Sequence, residues 1–235
     1  MSLARVALLS LLCTSSMGCS RSAPPIREEP AKHEERPTTA VMTAPPEPGP
    51  APLESARIGA LAPDFELPDL DGKSVKLSSF RGTTVVLEWF NPSCPFVKAS
   101  HTKGSLVDTA ARQVKKGVVW LAVNSGAPGK QGTGVAANRA GQAAFKLAHP
   151  ILLDETGRVG HAYGAANTPH LFVIDARGVL VYRGAIDNSP DAEGESPTGG
   201  KLINYVDATL ADLEAGRPVA VAETEAYGCS VKYQN

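Results

Sequence analysis

Residues 83–90 read Thr-Thr-Val-Val-Leu-Glu-Trp-Phe and run directly into Asn91-Pro92-Ser93-Cys94-Pro95. The continuous, β-branched apolar run marks a central strand buried on both faces. Pro95 marks the start of a helix, because its missing N–H is not needed at the first helical position. A strand, a short loop, a thiol and a helix start, in that order, place Cys94 at a helix N-terminus. Free N–H groups and the helix dipole favour a thiolate there, and the thiolate is the nucleophilic form. The competing reading is an inert core thiol, since free cysteine is among the most buried residue types. Pro and Ser beside Cys94, in place of core residues, favour a working cysteine.

The chain has 235 residues and a formal net charge of −1. That length holds one ordinary domain plus extra segments. The charge gives no basic stripe for nucleic acid or an anionic membrane surface. Four cysteines, with no Cys-x-x-Cys pair, supply neither a disulfide framework nor a zinc site.

Residues 1–19 carry Arg5, an apolar core from Val6 to Leu12, and a small-residue ending. They read as an export signal, too short to span a bilayer. The ending, with Gly18 before Cys19 and Ser16 three positions ahead of it, resembles a bacterial lipoprotein signal, although the usual Leu is replaced. Lipidation of Cys19 would anchor the chain to a membrane, and Cys13 would leave with the signal. Residues 20–57 are dense in Pro, Glu, Ala and Thr, and bury too little apolar surface to offset ordering. They are expected to form a disordered tether, in which His33 has no role.

The folded domain is expected over 58–216, followed by a C-terminal tail, 217–235. Asp71-Gly72 signals a tight turn. Strands are expected at 83–89, 118–123 and 151–153, and as a hairpin at 171–174 and 179–182. Helices are expected at 95–116, 135–147, 156–163 and 202–213. Strands alternating with helices, then a hairpin, imply an α/β fold: a central mixed sheet with helices on both faces.

Four segments carry a family resemblance: Ala62-Pro63-Asp64-Phe65 with Asp71-Gly72, Glu88 to Pro95, Thr168 to Asp175, and Arg177 to Gly184. In order and spacing they resemble the redoxin branch of the thioredoxin superfamily, which includes peroxiredoxins and membrane-tethered thioredoxin-like proteins. The resemblance implies a thioredoxin-like fold and a redox-active cysteine. It needs no cofactor. Its partners would be a protein disulfide or a peroxide, with an unidentified thiol reductant.

Departures from the family pattern shape the expectation. Thioredoxins carry a second cysteine three positions after the first, where this chain has Val97. Peroxiredoxins carry a Thr where this chain has Asn91, and an Arg where it has Pro169; Arg183 or Arg158 would have to substitute. Thr168-Pro169 resembles the family's cis-proline loop, which faces the reactive cysteine and would offer backbone groups to a partner. Tyr227-Gly228-Cys229-Ser230-Val231-Lys232 resembles the ending of single-cysteine redoxins. Thiol–disulfide chemistry needs a second thiol, and Cys229 is available as a resolving cysteine, as half of a structural bridge to Cys94, or as an inert tail residue.

Glu88 lies inside an apolar strand, and a buried carboxylate is costly unless paired or protonated. In this fold such an acid can move protons for the cysteine; pairing with a Lys, or a wet pocket, are the alternatives. Cys94 with His101, two turns along the same helix, and His170 gives a weaker alternative: a copper or zinc module without turnover. A redox-silent scaffold is a third reading. His149 and His161 read as surface or capping positions. Residues 186–200 read as an acidic solvent loop or a specificity loop, and 126–131 as a flexible loop beside the site. Gly132 to Ala137 matches a dinucleotide fingerprint only in letters, since it does not follow its strand directly.

Overall fold

The computed structural model describes residues 53–234. The expected signal, the expected lipid acceptor Cys19 and the expected tether up to residue 52 lie outside the described residues.

The domain opens with a small hairpin of β1 (Glu66–Pro68) and β2 (Ser74–Lys76). Its turn is closed where the Asp69 carboxylate accepts the N–H groups of Asp71 and Lys73 at 2.8 and 2.9 Å, with Gly72 at φ +78°. The main sheet is built from β3 (Val85–Trp89), β4 (Val119–Asn124) and β5 (Ile151–Leu153), and from the hairpin β7 (His170–Ile174) and β8 (Leu180–Gly184), which β6 (Asn167–Thr168) precedes. Its spatial order is β5-β4-β3-β7-β8. β3, β4 and β5 run parallel, and β7 and β8 add antiparallel. This is the expected mixed sheet.

Alternation along β3 divides the core. Val85, Leu87 and Trp89 face one side, where they meet Val159 and Tyr163 of α4 (Arg158–Tyr163). Val86 faces the other, against Ala110 of α2 (Thr109–Lys115) and Val206 and Leu210 of α5 (Tyr205–Glu214). Helices therefore cover both faces, as expected. A third apolar cluster joins Phe90, Cys94 and Ile151 to Val97 of α1 (Pro95–Thr102), with Phe145 at the end of α3 (Gly134–Ala144) packed against it.

Four expectations are corrected. The helix expected over 95–116 is two helices, α1 and α2. At the break a Cβ on Gly104 would collide with the Ala192 carbonyl, so only glycine allows the 186–200 segment to approach this closely. That segment is not a plain solvent loop: Ile186, Asp187, Ser189 and Ala192 are buried, and Asp187 accepts hydrogen bonds from the Ser189 N–H and the Tyr227 hydroxyl. The tether ends earlier than composition implies, since Ala56 is buried and donates its N–H to Ala162. The tail, which its Pro, Val, Ala and Glu content suggests is irregular, is ordered in part. It forms β9 (Cys229–Ser230), paired antiparallel with β6.

Candidate active site

The geometry of the site starts at Cys94. Its backbone is extended, at φ −78° and ψ 125°, and caps α1, with Pro95 as the first helical residue. Asn91 shapes the approach: its Oδ1 accepts the Ser93 N–H at 2.9 Å, and its Nδ2 donates to the Gln131 carbonyl at 3.0 Å. Asn91 therefore acts as a loop brace joining the Cys94 loop to the 126–132 segment. That segment is itself held to the tail, since the Ala127 N–H donates to the Lys232 carbonyl.

The Cys94 residue is only 2% exposed. Across from it the Thr168–Pro169 bond is cis, and the Cys94 thiol donates to the Thr168 carbonyl at 3.1 Å. Thr168 stands in register opposite Cys229, which brings the second thiol to the first. Both cysteines are free and Cys229 is partly exposed.

Electrostatics separate the two thiols. Burial pushes Cys94 up, and its own donation to Thr168 favours the protonated form. Hydrogen bonds from the Cys229 thiol, the Thr168 side chain and the backbone of Val97 and Cys229 outweigh burial, and hold the Cys94 thiol below the ordinary cysteine range. The Val97 N–H is the helix N-terminus acting through a specific donor. Cys229 moves the other way, pushed up to about 11 by burial, by its hydrogen bond to Cys94 and by the Cys94 charge. Cys94 is the thiol that ionises first.

Glu88 is fully buried, with Oε1 2.7 Å from Nε2 of His101 and Oε2 accepting from Trp120 Nε1 at 3.0 Å. Burial raises its pKa, but the His101 partner dominates the opposing effects and holds the carboxylate below its usual range. The partner is thus a histidine on the Cys94 helix, where sequence reasoning offered a lysine or a wet pocket. His101 stacks on Phe145 with centroids 5.4 Å apart, and is occupied by Glu88 rather than turned to Cys94. His170 is packed on Phe172 at 4.5 Å, and its Nδ1 accepts the Ala166 N–H at 3.4 Å. Among the described residues, no three His, Cys, Asp or Glu side chains are grouped to hold a metal ion.

The two peroxide-steadying alternatives are placed as well. Arg183 is ion-paired with Glu223 at 2.6 Å, and Arg158 opens α4. Of the two other histidines, His149 differs from expectation and His161 does not. His149 is buried, 7% exposed, beside Trp120 and not at the surface. His161 is exposed but carries the Tyr233 ring at 4.0 Å, which ties the tail to α4. Sequence reasoning missed Asn91 as a brace, and missed Tyr227 and Gly228, which seat the tail. A glycine immediately before Cys229 was the available signal: a Cβ there would strike the Thr168 carbonyl.

The chain is similar to known proteins over part of its length. The chain is 35% identical over 122 residues to the thiol-disulfide oxidoreductase ResA of Geobacillus thermodenitrificans, covering 52% of this chain and 65% of that protein. It is 31% identical over 139 residues to the thiol:disulfide interchange protein DsbE of Vibrio cholerae, covering 57% and 68%. An uncharacterized conserved protein from Geobacillus kaustophilus superposes with a TM-score of 0.66 at 31% identity, over 78% of this chain and 96% of that one. The Redoxin family model matches residues 57–200. With its mixed sheet, its helix-capping Cys94 and its cis Thr168–Pro169, this chain belongs to the redoxin family of the thioredoxin superfamily.

Proposed function

We propose that this redoxin is a thiol-dependent oxidoreductase in which Cys94 is the nucleophile and Cys229 the resolving thiol. The observation that carries the reading is the placement of two free thiols on either side of Thr168: the Cys94 thiol donates to the Thr168 carbonyl, and Cys229 stands in register opposite Thr168, with Cys94 the more acidic of the two. The Cys94 thiolate attacks one sulfur of a disulfide, or one oxygen of a peroxide, and the other half departs. Cys229 then attacks the Cys94 sulfur, which expels the second product and leaves a Cys94–Cys229 disulfide. An external thiol reductant restores both thiols. The relatives named for thiol–disulfide oxidation and interchange support this chemistry. Pro95 starts the helix whose N–H groups favour the thiolate, and Thr168-Pro169 holds the opposite wall. In this reading Glu88, paired with His101 on the same helix that presents Cys94, is the candidate proton-handling group.

The reading extends to location: an exported protein of the bacterial cell envelope, anchored by a lipid at Cys19, with residues 20–52 as a tether. The sequence of the first nineteen residues supports it. Metabolic labelling with palmitate, lost in Cys19→Ser, tests the anchor. For the chemistry, the purified protein is expected to reduce insulin disulfides or hydrogen peroxide, and Cys94→Ser to abolish this. Stoichiometric copper or zinc binding that depends on Cys94, without thiol turnover, would overturn the reading.

A further inference from the structure

The outward face of α2 is apolar where a solvent-facing helix is ordinarily polar. Val107 precedes the helix, and Ala111 and Val114 follow at helical spacing, so the three share one face and all are exposed. Val107 and Val114 are two of the six large apolar side chains that stand exposed among the described residues, at 55% and 45%. The chain leaving α3 supplies a second wall through Phe145, Leu147 and Ala148, and the two walls bound a groove of about 230 Å³. This is just below the roughly 300–1,000 Å³ of ordinary small-molecule pockets.

No carboxylate lines this groove. Its charges are Lys115 and Lys146, both exposed and without an ion pair among the described residues. Lys103 and Lys116, on the same stretch of chain as α1 and α2, are by contrast taken by Glu193 and Glu214. Lys146 is also placed against the preference of its backbone. It follows the residue that caps α3 and lies in the left-handed region, at φ 55°, where glycine is the usual occupant. A glycine would relax that turn and remove a cation from the rim.

The floor adds a polar group that nothing in the chain satisfies. His149 lines the groove, buried beside Trp120 with ring centroids 6.1 Å apart, and its Nε2 has no hydrogen-bond partner. Buried polar atoms are nearly always paired, and a ligand oxygen entering the groove would supply a partner. Phe145 links the groove to the interior, since its ring stacks on His101, the partner of Glu88.

We infer that this groove binds a small free amphipathic carboxylate, of the class of medium-chain aliphatic acids. The hydrocarbon lies along Val107, Ala111, Val114 and Phe145, and the single negative charge is drawn to Lys115 and Lys146. Apolar walls without an acid exclude a cationic or strongly polar ligand, and the two free cations favour an anionic head over a neutral one. The site is separate from the thiols, and its occupancy does not depend on whether Cys94 turns over.

The test uses the full chain with Cys19→Ser, which cannot carry a lipid at that position. It is titrated with sodium decanoate below the micelle concentration, by calorimetry and by tryptophan emission, for which Trp120 beside His149 is the reporter. Decyltrimethylammonium gives the same hydrocarbon with the opposite charge. Saturable one-to-one binding of decanoate is expected, with the ammonium bound about tenfold more weakly or worse. Ala111→Trp, which fills the groove from an exposed helix position, and Lys115→Gln with Lys146→Gln are each expected to weaken decanoate about tenfold. Lys146→Gly separates binding from folding: it should be at least as stable in urea, because the left-handed turn relaxes, yet bind decanoate more weakly. Equal binding of the two amphiphiles, or decanoate binding untouched by Ala111→Trp and by the lysine changes, would overturn the inference. So would co-sedimentation with phosphatidylglycerol vesicles, or a concentration-dependent dimer, that Ala111→Trp abolishes, since either would give the groove to a membrane or to a second copy. Decanoate binding is expected to survive Cys94→Ser, so loss of thiol turnover in that variant bears on the proposed function alone.

Discussion

The carboxylate of Glu88 on β3 and the imidazole of His101 on α1 meet at 2.7 Å with both side chains sealed from solvent. Trp120 closes the second carboxylate oxygen from β4. The pair joins the central strand to the helix capped by Cys94. Its stability is conditional, because each partner alone is a costly buried group. Removing one partner of such a pair typically costs about 3–5 kcal/mol. His101→Ala is therefore expected to lose stability in that range by urea unfolding, and Glu88→Gln, which keeps a hydrogen-bond acceptor, to lose less. An unfolding free energy unchanged in His101→Ala would contradict the pairing.

Acidification acts through two other histidines. Burial lowers His149 and His170 to about 4. A group whose folded pKa lies below its unfolded value near 6.5 binds more protons when unfolded, so stability falls as pH drops from about 6.5 toward 4. The loss by pH 5 is about 2 kcal/mol for each. Glu88, also depressed, adds its loss only as pH falls through its own lowered pKa. Urea melts at pH 7 and pH 5 check this. His149→Phe should shrink the difference, and an equal difference in that variant would remove His149 as a cause.

The Cys94 thiol should titrate below the free-thiol value of about 8.5. Its alkylation rate by iodoacetamide, followed by peptide mapping, rises with pH as the thiolate forms and levels off above its pKa. Cys229→Ala removes a hydrogen-bond donor to Cys94 and should move that midpoint upward. A midpoint at or above the free-thiol value in the native protein would remove Cys94 as the activated nucleophile.

The close approach at Gly104 gives a prediction away from the thiols. Gly104→Val forces the Ala192 carbonyl and the 187–194 segment outward, and overpacking of this kind costs about 1–3 kcal/mol. A lowered urea midpoint with intact Cys94 reactivity is the expected result. A variant of unchanged stability would show that the contact is easily relieved.

Local signals made most of the fold legible. The apolar run at 83–89, the Asp71-Gly72 turn and the 170–184 hairpin are each set by near neighbours in sequence, and each appears where its pattern places it. Cys94 was legible because a helix start is local chemistry, and Thr168-Pro169 was legible through the family resemblance of its loop. The misreadings were all long-range. The break between α1 and α2 depends on Ala192, nearly ninety positions on from Gly104. The polar composition of 186–200 concealed Ile186 and Asp187, which are buried under Tyr227 and its neighbours. The tail carries little hydrophobic periodicity, because its strand is two residues long and is held by Thr168 and by Ala166 on the body of the domain. His101 pointed to Cys94 by helical spacing, yet it turned to Glu88, whose placement across the core spacing does not reveal.

The central claim is that Cys94 and Cys229 work as one redox pair. The most direct measurement is peptide mapping of the purified protein after a stoichiometric pulse of hydrogen peroxide, with and without subsequent dithiothreitol. An intramolecular Cys94–Cys229 disulfide that forms in the wild-type protein, is absent in Cys229→Ser and is opened by dithiothreitol is the predicted result. A Cys94 that accumulates as sulfenic or sulfinic acid while Cys229 stays a free thiol would contradict it.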